Sequence, residues 1–280
     1  MKAIITLTTI PSRLNSIYGR DIKYCLDSLV NQHNTDYEVH FNIPTVYKKT
    51  GEEYIIPEWL GVYEKDENFK VFRTEDYGSA TKLIPTIKRV TDNDTIIIVV
   101  DDDVIYHPEL VNEHFKNREK WPEYAVSYDG MRSRNIDGTF SSYFSDSRDY
   151  YYSATKINSL VDIVQHYSSV SYFRRFFEND FFTFWDENKV WCDDSVISAY
   201  LAMKKRGRLI TYYEGDNYVM HNDHWKLDSR FHFPILEDTE HDANEGCNID
   251  RGKNNEEDNI IISSLYRYLD YSYNDKTWEV

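Results

Sequence analysis

The stretch Thr95-Ile96-Ile97-Ile98-Val99-Val100-Asp101-Asp102-Asp103 decides the fold. An unbroken run of β-branched residues reads as a strand buried on both faces, and strands of that kind belong to parallel sheets covered on each side. Three carboxylates follow it at once. Adjacent like charges repel one another, so ending a buried strand on them is costly without a countercharge. A hard divalent cation supplies one. Mg²⁺ and Mn²⁺ prefer oxygen ligands, and Mg²⁺ typically takes one or two carboxylates together with substrate phosphates. In extended backbone Asp101 and Asp103 share a face while Asp102 points away.

Working outward, the first half of the chain alternates strands and helices. Residues 3–10 are apolar, β-branched and stopped by Pro11, which predicts a buried strand. Ile22, Cys25, Leu26, Leu29 and Val30 fall at helical spacing within residues 21–32. Residues 37–43 alternate and predict a strand, residues 70–74 a short one, and Leu83, Ile84, Ile87 and Val90 mark a further helical face. This order implies an α/β fold, a Rossmann-like, mostly parallel sheet with helices on both faces. Ligands then bind outside the carboxyl ends of the strands, where Asp101 to Asp103 stand.

Farther on, His107-Pro108 predicts a helix to about residue 120, and residues 124–128 a strand. Residues 130–160 are polar, rich in Ser and Tyr, and read as a loop region over the site. Val196, Ile197, Tyr200 and Leu201 mark a helix that Gly207 ends, before a strand at 209–213. Residues 237–259 are acidic and Asn-rich and read as a loop; Ile260, Ile261, Leu265 and Leu269 predict a last helix. The expected organisation is a catalytic domain over 1–235, with the acidic loop and C-terminal helix of 236–280 packed on it.

Composition limits the partners. With 32 basic and 48 acidic residues the net charge is −16, which argues against nucleic acid or an anionic membrane as the main partner. Aromatic residues make up 16%, 24 of them Tyr, and suit polar-tipped core positions and stacking surfaces. Cys25, Cys192 and Cys247 are widely spaced, without a CxxC pair, so neither a disulfide framework nor a zinc site is expected. No apolar run approaches the roughly 18 residues of a membrane span, and the N-terminus lacks signal-peptide character; a cytoplasmic location is the expectation.

Taken together, the motifs resemble one class. A strand ending in Asp-x-Asp within an alternating α/β domain is similar to the GT-A glycosyltransferases. Thr8-Thr9-Ile10-Pro11-Ser12-Arg13, Tyr77-Gly78-Ser79-Ala80-Thr81-Lys82-Leu83, Ser168-Val170-Tyr172-Arg174 and Cys192-Asp193-Asp194 resemble, in that order, motifs of a family of small glycosyltransferases from bacteria, algae and large viruses. Ser79 stands where that family's segment has Pro, and His166-Tyr167-Ser168-Ser169 replaces its Gly-rich loop.

The resemblance implies a nucleotide-sugar donor, with UDP the first carrier to consider and dTDP or GDP after it, and a glycan or other hydroxyl acceptor. It places Thr8, Thr9, Pro11 and Arg13 near base and ribose, and Gly78, Ala80, Thr81 and Lys82 also near the donor. Gly78 permits close backbone approach, and a helix starting near Ser79 would present N–H groups to an anion. Asp103 is expected to bind Mn²⁺ or Mg²⁺, Asp101 the metal or the donor ribose, and Asp102 to bridge the two. Asp194 is expected to act as general base in an inverting transfer, with Asp193 its neighbour or substitute. His221 is the expected further metal ligand, ahead of His224. Tyr172 and Trp225 read as core, though either could stack on a sugar. A nucleotidyltransferase that makes sugar nucleotides is the enzymatic alternative, disfavoured because residues 9–13 lack glycine. A non-catalytic nucleotide-sugar-binding protein is the other, and it would need no base.

Overall fold

The computed structural model describes residues 2–15, 20–131, 135–136, 139–140, 159–188, 193–211 and 232–234. The expectations for His221, His224, Trp225, Cys192, Cys247 and the whole of 236–280 therefore lie outside the described residues.

An eight-stranded sheet organises the molecule. In chain order its strands are β1 (Ala3–Thr8), β2 (Tyr37–Pro44), β3 (Phe69–Thr74), β4 (Ile96–Val99), β5 (Tyr124–Ser127), β6 (Ser159–Leu160), β7 (Val170–Phe173) and β8 (Gly207–Ile210). Across the sheet they run β6-β8-β5-β7-β4-β1-β2-β3. The pairs β4/β1, β1/β2, β2/β3 and β5/β8 are parallel; β7 lies antiparallel to both its neighbours and β6 antiparallel to β8. Six of the eight strands thus point one way, and the mostly parallel α/β sheet expected from the sequence is the one found.

The helices are α1 (Pro11–Leu14), α2 (Arg20–Val30), α3 (Ile84–Arg89), α4 (Leu110–Lys120), α5 (Asp180–Asn188) and α6 (Asp193–Met203). Parallel crossovers are right-handed. The connections β1–α2–β2 and β2–β3 run outward along the sheet and so share one face, while α3, returning to β4, takes the other. Ile96, Ile97, Ile98 and Val99 are fully buried, as the two-sided covering of a β-branched strand requires.

Three elements differ from expectation. The helix expected from Ser79 is a 3₁₀ turn, Ala80–Lys82, and α-helix begins only at Ile84. Pro85 explains the delay, because it has no N–H to give to the carbonyl four residues back. Asp193 and Asp194 form the first turn of α6 rather than preceding it, a favourable place for carboxylates beside the positive end of a helix. In the 130–160 region the described residues pair as short strands: Gly130–Met131 with Ile163–Val164, Asn135–Ile136 with Thr139–Phe140, and β6 at the sheet edge.

Candidate active site

Strand order reverses at β1, from which the chain moves outward to β2 and β3 and then returns to β4 on the other side. The crevice beyond the ends of β1 and β4 is the topological switch point, where such sheets take their ligands. Two segments meet there: Thr8 to Arg13 after β1, and Asp101 to Asp103 after β4.

The alternation expected along the three aspartates holds. The side chains of Asp101 and Asp103 are 31% and 32% exposed and that of Asp102 only 7%. Asp102 accepts a hydrogen bond from Thr9 Oγ1 at 2.5 Å and pairs with Arg13 Nη1. Arg13 Nη2 reaches Asp103 Oδ2 at 3.1 Å. Asp102 therefore bridges β4 to β1, through the very residues the resemblance assigns to the donor. Burial opposes the charge on Arg13, but the facing Asp102 and Asp103 carboxylates outweigh it and hold the guanidinium firmly protonated. Asp103 is pushed up to about 6 by burial and by its neighbours Asp102 and Asp101, against the pull of Arg13.

Residues that no motif marked brace this turn from behind. The Asp101 N–H donates to the Tyr106 hydroxyl at 2.9 Å, which donates to the Tyr167 carbonyl at 3.0 Å. The Cys25 thiol lies 3.4 Å from the Asp101 carbonyl oxygen, and the Tyr54 hydroxyl donates to the Thr9 carbonyl at 2.9 Å. All of these side chains are buried.

The Gly78 segment lines the adjoining wall. Asp76 Oδ1 accepts from the Gly78 N–H at 2.8 Å and from Thr81 Oγ1 at 3.3 Å, and Thr81 in turn accepts from the Tyr77 N–H at 2.8 Å. Gly78 has φ +62°, a conformation suited to glycine, with open space where a Cβ would point. Ala80 and Thr81 are fully buried and hold the turn. Thr8 donates to the Asn42 carbonyl at 2.8 Å and Pro11 opens α1.

Lys82 projects from this wall and joins the two acidic motifs. Its Nζ lies 2.7 Å from Asp101 Oδ1 and 3.2 Å from Asp193 Oδ2. Burial disfavours its charge, yet Asp101, Asp193 and Asp194 more than compensate, so its pKa stands well above the usual lysine value. Asp193 shows the converse. Burial opposes its ionisation, but Lys82 and His166 prevail and hold it below the usual carboxylate range.

His166, Asp193 and Asp194 place their donor atoms within 4.8 Å of one another, a spacing a metal could use. In the metal-free chain the same three groups form an ion-paired cluster. The imidazole loses stability as a cation through burial and regains more from Asp194, against Lys82 and with Asp193, so its pKa rises to about 9. Lys82 stands beside the same carboxylates.

Asp101 and Asp103, the expected metal ligands, are both partly open, and each has one carboxylate oxygen in an ion pair, with Lys82 and with Arg13. Five carboxylates (Asp101, Asp102, Asp103, Asp193 and Asp194) here face three cations, Arg13, Lys82 and His166. Tyr172 is fully buried, 5.3 Å from Phe177 centroid to centroid, and Arg174 donates to the Val90 carbonyl at 2.9 Å. Tyr172 thus belongs to the core of β7, and Arg174, half-buried, ties the end of that strand to the residue after α3. Among the described residues no helix is long and apolar enough to cross a membrane.

No protein-family model matches the chain, and no curated protein matches it. Among solved structures it is similar to residues 1–349 of S. aureus TarS, at 12% identity and TM-score 0.47, over 75% of this chain and 58% of that one. The same fragment in complex with UDP-GlcNAc matches at 14% identity and TM-score 0.45, over 78% and 62%. The mannosyltransferase PcManGT from Pyrobaculum calidifontis, in complex with GDP-Man and Mn²⁺, matches at 17% identity and TM-score 0.48, over 76% and 55%. The matched part is under two thirds of each of those chains.

Proposed function

We propose that this chain is a metal-dependent glycosyltransferase of GT-A architecture, moving a sugar from a nucleotide-sugar, first of all a UDP-sugar, to an acceptor hydroxyl with inversion. The observation that carries the reading is the convergence of two carboxylate motifs on one buried lysine: Asp101 and Asp193 both pair with Lys82 at the switch-point crevice.

In this reading the loop from Thr8 to Arg13 and the Gly78–Lys82 turn hold the nucleotide. Asp103 with Asp101, and His221 from outside the described residues, would hold Mn²⁺ or Mg²⁺, which would supply charge neutralisation for a leaving diphosphate. Lys82 adds a fixed positive charge to the same wall, stabilising negative charge as it develops. Asp194 Oδ1 is engaged by His166, whereas Oδ2 has no recorded partner among the described residues, and the side chain keeps 16% exposure. Oδ2 takes the acceptor's proton as the acceptor oxygen bonds to the anomeric carbon. The bond from that carbon to the diphosphate breaks, and the nucleoside diphosphate leaves with the electron pair.

Nucleotidyl transfer fits less well, because the segment after β1 folds as the Pro11–Leu14 turn without glycine. Simple binding leaves the buried Asp193–Asp194 pair without a use. The test is product stereochemistry. With an α-linked donor, proton NMR of the early product shows the β anomer if Asp194 acts as assigned; a purely α product overturns that role.

A further inference from the structure

His166 stands where the resembling family has a Gly-rich loop, and the reaction scheme above gives it no part. It begins the 3₁₀ turn His166–Ser168 and is fully buried. Its backbone N–H donates to Asp194 Oδ1 at 3.3 Å, and its ring Nδ1 is in ion-pair contact with the same oxygen. Nδ1 also lies 3.1 Å from Asp193 Oδ2, while Nε2 lies 2.9 Å from the Tyr172 hydroxyl. Nε2 is hydrogen-bonded, whereas Nδ1 stands in ion-pair contact with the two carboxylates without a well-aligned hydrogen bond to either.

The turn that delivers it is held under strain. Ser169 adopts φ +72°, uncommon for a residue with a side chain. Its N–H donates to the His166 carbonyl at 2.9 Å and its Oγ lies 2.9 Å from His114 Nε2. Such conformations persist where the surroundings fix them, often at functional sites.

We infer that His166 is a positioning residue for the transfer: clamped on Asp194 and Asp193 and anchored by Tyr172, it fixes the Asp194 carboxylate and leaves Oδ2 to receive the acceptor's proton. The inference rests on Asp194 being the base. The charged or titratable groups recorded around the ring are Asp193 and Asp194 from α6, Tyr172 from β7, and Lys82 across Asp193. The elevated imidazole pKa agrees with a cation at this place. Without it two neighbouring carboxylates share Lys82 alone, and like charges raise one another's pKa.

The test has a structural arm and a kinetic arm. Imidazole nitrogen NMR of the uniformly labelled full chain follows His166, assigned by its loss in His166→Asn. The expected result is a doubly protonated ring at neutral pH that becomes easier to deprotonate in Asp194→Asn. A neutral ring at pH 7 overturns the inference whatever the reaction proves to be. The kinetic arm measures release of nucleoside diphosphate from a mixture of UDP-N-acetylglucosamine and GDP-mannose with Mn²⁺, water being the acceptor. In His166→Asn the acid limb of the rate profile moves up by about one pH unit, the scale of losing one neighbouring charge. Turnover returns as pH rises, and UDP affinity stays unchanged. A wild-type profile in His166→Asn, with Asp194→Asn inactive, overturns the positioning role. Full turnover in Asp194→Asn overturns the base assignment instead.

Discussion

The two acidic motifs that meet at Lys82 are neutralised in different ways. At Asp101–Asp103 the outer carboxylates are about one-third exposed, and Arg13, on the short α1 turn, spans Asp102 and Asp103. At Asp193–Asp194 the countercharges are Lys82, 7% exposed at the side chain, and His166, fully buried. Charge that solvent can reach is open to exchange, so on the proposed function a cation entering with the donor would replace part of what Arg13 does. Buried charge is held, because removing one partner strands the other in a low dielectric. On the proposed function, the first cluster would trade countercharge and the second would keep it.

The largest effect expected from that contrast is on stability. Lys82→Met strands Asp101 and Asp193 together and should cost about 3–5 kcal/mol in urea unfolding, the scale for breaking a buried pair. Arg13→Gln should cost less, about 1–3 kcal/mol, as for a hydrogen bond to a charged group. The reverse order would break the comparison. Next, Asp194→Asn should lower transfer by roughly a hundredfold or more, while calorimetry shows UDP binding intact. If Asp193→Asn is the inactive variant instead, the two aspartates exchange roles.

The buried side also predicts a pH limb. His166 is raised in the folded chain from its usual 6.5 to about 9. Its contribution is therefore fully present below about pH 6.5 and is lost as pH rises through about 9, a loss on the order of 3 kcal/mol. Asp193, depressed in the folded chain, contributes above the usual carboxylate range and loses that contribution as pH falls. Unfolding measured from pH 6 to pH 10 should show the alkaline loss in wild type, and a flatter curve in His166→Asn would locate it. The smallest effect belongs to the exchangeable side. Asp103→Asn should weaken Mn²⁺-dependent UDP binding roughly tenfold, the loss of about one charged contact, and leave metal-free binding unchanged. Equal affinities with and without Mn²⁺ in both proteins would remove the metal from the mechanism.

What the sequence discloses follows from how local each feature is. The Ile/Val run of β4 and the alternation of exposure at Asp101, Asp102 and Asp103 depend on neighbouring residues, and both are legible. Strand β7 is not. Val170-Ser171-Tyr172-Phe173 carries no alternation that marks it as central, and its place is set by partners about seventy residues upstream and about forty-five away, at β4 and β5. Helix α5 hides in the same way, since Phe181, Phe182, Phe184 and Trp185 leave little polar contrast. At the site, the aspartates stand out because clustered like charge needs a reason. His166, Tyr106 and Cys25 are single residues whose significance lies only in what they touch. The one signal for His166 is its occurrence where the resembling motif has glycine.

The antiparallel strand β7 also dictates how the molecule is assembled as it is synthesised. Strands β1 to β4 can pair once the nascent chain has cleared the ribosome past Val100, but β5 and β8 have no place beside them until Val170–Phe173 arrives. Meanwhile β4, Ile96-Ile97-Ile98-Val99, is an unpaired and strongly β-forming border, the kind of edge that recruits other chains. Sealing it requires contacts distant in sequence, which form slowly. A chain released before residue 173 would keep that border open, and stop-codon variants in this interval should collect in inclusion bodies, whereas the full chain closes the seam within itself.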